Sequence, residues 1–376
     1  LASWNSPLEN MVSALPWTPD FWRGRRVWLS GHTGFKGSWL ALWLLHWGAV
    51  VEGYALDPEA PTGISTRPLY TELGLQQELA LDQRGDLADL ALLSARLRAF
   101  RPEVVFHLAA QPLVQRSYRE PLLTWSTNVI GTCHVLEALR QLDHPCVAVM
   151  ITTDKVYENR EWDYGYREED PLGGYDPYSS SKGAAELAIA SWRSSFCGTL
   201  PHQCPGLRIA SARAGNVIGG GDWAENRIVP DAIRALIAGG SIAVRSPASS
   251  RPWQHVLEPL GGYLLLAERL HAQQDGVDTA FNFGPDRQAN QPVSHLIEEI
   301  LQHWPGRWED HSDPQARHEA SRLDLSTDRA FHRLDWVPRW NFATTVAETV
   351  GWYRSFHRGE SALDLCLNQI KSYLGS

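Results

Sequence analysis

The sequence predicts an α/β protein, with a doubly wound parallel sheet followed by a smaller mixed α/β lobe. Three observations predict it. Short apolar runs alternate with helical patterns as far as about residue 215, and a glycine-rich turn joins the first strand to the first helix. Beyond 215 the alternation breaks up. At 376 residues the chain also exceeds the usual size of a single hydrophobic core.

Arg26–Ser30 reads as the first strand, leading into Gly31-His32-Thr33-Gly34-Phe35-Lys36-Gly37. A helix over 38–46 follows and stops at Gly48, and Val50–Ala55 is the second strand. The runs 104–109, 147–153 and Leu207–Ala214 are apolar enough for strands buried on both faces of a parallel sheet. Between them, a helix over 128–140 carries Val129, Leu136 and Leu139 on one face. Gly219-Gly220-Gly221 and a stretch of Trp, Arg and Pro then end the pattern. Short helices over 227–238, 259–271 and 344–356 mix with brief strands after it. The expected division is an N-terminal extension over 1–21, a nucleotide-binding domain over 22–215 and a mostly substrate-binding domain over 216–376. The chain is free to cross back between the two lobes.

A net charge of −9 argues against nucleic acid as a partner, because binding it requires Lys and Arg to neutralise phosphates. No run approaches the roughly 20 apolar residues of a membrane helix. The first twenty residues lack a basic start followed by an apolar core, so a cytoplasmic protein is expected. The five cysteines include no C-x-x-C pair, and neither a metal site nor a disulfide framework is expected. Most of the 17 tryptophans fall within apolar patterns and are expected in the core. Lys is scarce: Lys36, Lys155, Lys182 and Lys371 are the only four among 34 basic residues. Such a chain keeps Lys where chemistry needs an amine whose pKa can fall, which a guanidinium cannot supply.

The G-x-x-G-x-x-G run between strand and helix answers the needs of a pyrophosphate. Gly31, Gly34 and Gly37 let the backbone approach, while Thr33, Phe35 and Lys36 open a helix whose N-terminus offers free N–H groups. The arrangement is Rossmann-type. Asp57, just past the second strand, would accept from ribose hydroxyls and repel a 2′-phosphate, favouring NAD, although a loop residue without a role is the rival reading. Asp86 and Leu87 are placed at the adenine, and Leu108, Ala109 and Ala110 beside the cofactor groove. His107 is read equally well as a core histidine.

Tyr178 and Lys182 stand four apart, on one face of a helix. For Tyr to act as a base near neutrality its pKa must fall by roughly 3 units, or about 4 kcal/mol. A protonated Lys one turn away and a cationic nicotinamide supply a field of that sign. Thr153, Asp154 and Lys155 close a buried strand on the ligand side of the sheet, where an acid and an amine are costly without purpose. The rival reading there is a local Asp–Lys ion pair.

These motifs resemble the extended short-chain dehydrogenase family. Asp154 at its strand end resembles the acid of nucleotide-sugar 4,6-dehydratases. The better known of those carry Glu after this Asp; here Lys155 follows. The segments GHTGFKGSWL, HLAAQPLV, GGYDPYSSSKG, RAGNVIGGGDW and RPWQHVLEP together are similar to the branch acting on CDP-glucose. The resemblance covers about 22–352 and implies loss of water from a CDP-hexose to give the 4-keto-6-deoxy sugar, with NAD regenerated. It implies that Tyr178 takes the 4-hydroxyl proton and Thr153 orients that oxygen. Asp154 protonates the departing 6-hydroxyl. Lys155 becomes the C5 base, which requires its amine to be neutral. It also places Asn128 with the cofactor, and Gln111, Arg213, Asn216, Arg251 and His318 with the nucleotide sugar. A homodimer through helices near 123–139 and 179–196 is implied, with a homotetramer as the larger option. The nearest rivals are a dehydratase or 4-epimerase acting on another nucleotide sugar.

Overall fold

The structure is a computed structural model, and it describes residues 16–58, 67–312 and 323–375. Seven strands form one parallel sheet: β1 (Arg26–Ser30), β2 (Val50–Ala55), β3 (Leu81–Arg84), β4 (Val104–His107), β5 (Cys146–Ile151), β6 (Leu207–Ala214) and β7 (Ala280–Phe283). Their order is β7-β6-β5-β4-β1-β2-β3, and every neighbouring pair is parallel. Strand order therefore reverses between β1 and β4, where Leu29 pairs with Gly53 on one side and Phe106 on the other. A doubly wound sheet opens a crevice at such a point, outside the carboxyl ends of its strands.

Two strands escaped the apolar pattern. β3 reads Leu-Asp-Gln-Arg and lies at the sheet's edge, where polar residues protect unpaired backbone. β7 arrives after the second lobe has begun, so the chain returns to the sheet and pairs with β6. The strands next to the crevice end at His107 and Ile151, two residues earlier than the apolar runs. Those extra residues turn into the crevice instead.

Helix α1 (Phe35–His46) starts three residues earlier than expected, with Gly34 at its N-cap. Gly37 is needed inside its first turn: a Cβ there would lie 2.1 Å from the Gly31 carbonyl oxygen. All eight residues from Gly37 to Leu44 are buried, because α1 packs between the sheet and the helix Ala362–Leu374. Its Trp39 Nε1 donates to the Gly220 carbonyl at 3.0 Å, and Trp43 packs on Trp17, Trp47 and Tyr373. Trp17, Trp22, Trp28, Trp39, Trp43, Trp336 and Trp352 are all core. The N-terminal extension is described from residue 16 onward, and there it is anchored. Trp17 Nε1 donates to Gly261 at 2.7 Å and Trp22 Nε1 to Glu268 at 2.8 Å.

On the opposite face run α2 (Leu90–Phe100), α3 (Gly131–Arg140) and α4 (Pro177–Phe196). The expected helix over 128–140 is α3 preceded by a π-helical turn, Ser126–Ile130. Beyond the sheet, three two-stranded pairs and the helix Ile228–Ile237 overhang the crevice, and α5 (Leu257–His271) packs beneath β5 and β6. Among the described residues no helix is long and apolar enough to cross a membrane, and no cluster of side chains fits a metal.

Candidate active site

The crevice is a cleft of about 1210 Å³ running from Asp57, Asp86 and Leu87 to Tyr178 and Lys182. One wall is the turn after β1. Gly31 has φ +75°, and a Cβ on it would stand 2.7 Å from the Ala109 backbone nitrogen, so this turn and the Leu108–Ala110 strand exit need a glycine to meet. No side chain caps α1, so its first N–H groups face the cleft. Thr33 Oγ1 donates to the Leu56 carbonyl at 3.2 Å, tying the loop to the end of β2. A bare glycine turn, an uncapped helix N-terminus and acids at the far ribose end together fit a dinucleotide in extended form.

The opposite wall carries the reactive groups. Asp176 is the N-cap of α4, accepting from the N–H groups of Tyr178 and Ser179 at 3.0 Å each, with Pro177 at the first helical position. This local chemistry fixes where the helix begins, and hence that Tyr178 and Lys182 share a face. Thr153 lies close enough to Tyr178 to favour its ionised form. Thr153 Oγ1 in turn donates to Asp154 Oδ1 at 2.9 Å. Lys182 Nζ donates to the Ile151 carbonyl at 3.1 Å, at the last residue of β5. Asp154 and Lys155 lie in a 3₁₀ turn directly after that strand.

Electrostatics sharpen these roles. Burial raises the Asp154 pKa above the ordinary carboxylate value, although Lys155, the Thr153 hydrogen bond, Arg251 and Lys36 oppose it. Burial also raises Tyr178 to about 12; Asp154 and Asp176 add to this, while Thr153 and Arg227 work against it. The lowered phenol expected from the Tyr–Lys spacing is therefore not a property of the chain alone. Burial pulls Lys182 down to about 8 against the pull of Glu186. Lys36 falls to about 8 for the same reason, with Arg227 and Lys182 adding to burial and Asp154 opposing.

Gly31, Thr33, Gly34, Phe35, Lys36, Gly37, Asp57, Asp86, Leu87, Leu108, Ala109, Ala110, Gln111, Asn216 and Arg251 all line the cleft with Thr153, Asp154, Lys155, Tyr178 and Lys182. Two expected ligand residues do not. Asn128 is fully buried in the π-helical turn, its side chain bonded to the backbone of Gln111 at 2.8 and 3.1 Å and to Ser181 at 2.9 Å. It clamps the walls together. Arg213 points into the interior, pairing with Glu186 at 2.9 Å and donating to Tyr157 at 2.8 Å. As a buried cation it takes the nearest carboxylate, not the cleft. His318 lies outside the described residues. His107 is a core histidine, bonded to Ser30 at 2.8 Å and Thr132 at 3.1 Å.

The sequence reading missed Arg227 and Glu186. Arg227 pairs with Asp222 at 2.9 Å and faces Tyr178; it is the N-cap of the helix Ile228–Ile237, and the helical pattern there does not mark it as a site residue. Glu186 did leave a signal, since Tyr178, Lys182 and Glu186 recur every four residues on one helix.

Residues 29–349 match the family model described as GDP-mannose 4,6 dehydratase. A CDP-glucose 4,6-dehydratase of Salmonella typhimurium is 44% identical over 363 residues, covering 95% of this chain and 98% of that protein. A dTDP-glucose 4,6-dehydratase of Streptomyces antibioticus is 30% identical, covering 72% of this chain and 75% of its own. Among solved structures, dTDP-glucose 4,6-dehydratase from Bacillus anthracis in complex with NAD superimposes with a TM-score of 0.73 at 20% identity, covering 90% of this chain and 99% of that one. UDP-glucose 4-epimerase from Thermotoga maritima with UDP-glucose gives 0.73 at 21% identity, with coverages of 88% and 99%. These two share the fold with dehydratase and epimerase alike. With a family model spanning most of its length and a near-full-length relative at 44% identity, this chain belongs to the GDP-mannose 4,6 dehydratase family, within the extended short-chain dehydrogenase class.

Proposed function

We propose that the chain converts CDP-D-glucose into CDP-4-keto-6-deoxy-D-glucose and water, with NAD restored at the end of each cycle. The observation that carries this reading is Asp154, a buried carboxyl held toward its neutral form beside Thr153 and Tyr178. A 4-epimerase needs a proton acceptor at the 4-hydroxyl but no acid for a departing hydroxyl. The cytidine nucleotide is drawn from the similarity to the Salmonella protein.

The glycine turn, Asp57, Asp86, Leu87 and the Leu108–Ala110 exit would hold NAD, with Tyr178 and Lys182 at its nicotinamide end. A nicotinamide cofactor held there would supply hydride exchange, oxidising C4 of the sugar first and reducing C6 at the end of the cycle. Tyr178 accepts the 4-hydroxyl proton while Thr153 orients that oxygen. Lys182 opposes the burial that holds the phenol proton in place. The new ketone acidifies C5–H, and Lys155, beside Asp154 at the same strand end, removes that proton and gives it back to C5 when C6 is reduced. Asp154 donates its own proton to the departing 6-hydroxyl. Gln111, Asn216 and Arg251 lie along the substrate half of the cleft, where Arg251 offers charge to a diphosphate.

Residues 22–215 would supply most of the cofactor half and 216–376 most of the substrate half. A homodimer is proposed through the helix Pro121–Trp125, the π-helical turn and α4, on which Leu122, Ile130 and Leu187 are exposed. A cytoplasmic location fits the five free cysteines.

Incubation with a panel of nucleotide hexoses tests the reaction. Turnover of CDP-glucose is expected with substoichiometric NAD⁺, loss of the 6-hydroxyl and no build-up of NADH. A product retaining its 6-hydroxyl would mark an epimerase, and accumulating NADH an ordinary dehydrogenase.

A further inference from the structure

Glu186 has no part in the chemistry above, yet it is almost completely buried one turn beyond Lys182 on α4. Its Oε1 accepts from Thr152 Oγ1 at 2.5 Å, and its Oε2 accepts from Ser211 Oγ at 2.8 Å and Arg213 Nη2 at 2.9 Å. Thr152 is the neighbour of Ile151, whose carbonyl receives the Lys182 amine. One carboxylate thus joins the end of β5, the adjacent strand β6 and the helix that bears the Tyr–Lys pair.

We propose that Glu186 is a positioning residue for the reaction: a carboxylate fixed beneath Lys182 that keeps the amine protonated and aimed along β5. The proposal rests on the reading of Tyr178 and Lys182 as the catalytic pair. Burial works to neutralise Glu186, but Arg213, Thr152 and Ser211 hold its pKa below the ordinary value. Its ionised form is therefore favoured by its partners. Lys182 needs that charge, because burial alone favours its neutral form.

The other groups around Lys182 do not supply that charge. His107 of β4 is kept neutral by burial, with its pKa down to about 3, and feels Lys182 as a repelling charge. Lys36 of α1 and Arg213 of β6 are cations. Asp154 and Tyr178, on the cleft side, are both pushed toward their neutral forms. Lys155 follows Asp154 and, as an amine, offers no negative charge.

The test measures Lys182 itself. Trace acetylation of the full chain over a wide pH range, read by mass spectrometry on the peptide carrying Lys182, gives its titration midpoint without substrate. Glu186→Gln leaves Arg213 without its partner and can unfold the chain, so Glu186→Gln/Arg213→Met is measured beside it. The midpoint is expected to fall by about one pH unit or more in whichever variant folds, because a nearby carboxylate has been removed. The alkaline limb of kcat should move to lower pH by a similar amount, and Glu186→Asp should restore both. An unchanged midpoint in the folded double variant overturns the proposal and leaves Glu186 as a structural partner of Thr152, Ser211 and Arg213. Failure of the wild-type chain to dehydrate CDP-glucose would instead overturn the reaction assigned above, while the midpoint would still report on the Glu–Lys pair.

Discussion

Tyr178 begins as a poor base, because the pocket that excludes water also raises its pKa to about 12. In the proposed reaction its use depends on cations brought to it: Lys182 from its own helix, Arg227 from the N-cap of the helix Ile228–Ile237 and the charged ring of the cofactor. Tyr178→Phe removes one oxygen and should lower turnover by roughly 10²–10⁴-fold, the usual worth of a general base. NAD affinity, measured by calorimetry, should survive because the glycine turn is untouched. In the proposed reaction Asp154 and Lys155 divide the next steps between them. Lys155→Met keeps the stem but cannot accept a proton, so exchange of the C5 hydrogen with deuterated solvent should nearly stop while oxidation at C4 persists. Asp154→Asn should slow water loss and leave that exchange running. If Lys155→Met exchanges at the wild-type rate, another group is the C5 base.

At the scale of elements, the C-terminal helix Ala362–Leu374 is latched to the fold by a buried acid. Glu258, at the start of α5, accepts from the backbone of Arg339 at 3.0 Å and Trp340 at 2.7 Å, and from Tyr373 Oη at 2.8 Å. Burial lifts its pKa to about 7, although these three donors and the Arg339 charge oppose it. A carboxyl whose folded pKa lies above its unfolded value holds its proton longer in the native state. Its contribution is therefore greatest below about pH 4.5 and is lost as pH rises through about 7, a change of about 3 kcal/mol. Melting of the wild type against Glu258→Gln should show the wild type losing ground over that window. A difference in Tm that is flat with pH would show that Glu258 is ionised throughout.

For the whole molecule, the open question on the surface is the face bearing Leu122, which is 85% exposed, with Ile130 and Leu187 beside it. Apolar side chains grouped on packed helices mark an association surface more often than chance exposure. Leu122→Arg/Leu187→Arg should convert a dimer to a monomer in sedimentation equilibrium while leaving the far-ultraviolet circular dichroism unchanged. A double variant that sediments as the wild type would move the interface elsewhere.

The sheet and the cleft were legible for reasons internal to short segments. β1, β2 and β6 match their apolar runs because strands buried on both faces are mostly apolar. Gly31, Tyr178 and Lys182 were legible because a turn needing φ +75° and a four-residue helical spacing leave marks in the chain itself. The polar edge strand β3, the returning strand β7 and the π-helical turn at Asn128 left none, since each depends on partners distant in sequence. The same holds for charge. Which residues reach the cleft from their own strand ends and helix starts is written in the chain. That Arg213 serves Glu186, that Arg227 faces Tyr178 and that Asp154 is driven toward its neutral form follow from packing alone. Burial and through-space charge are set by what packs around a group, not by its neighbours in the chain.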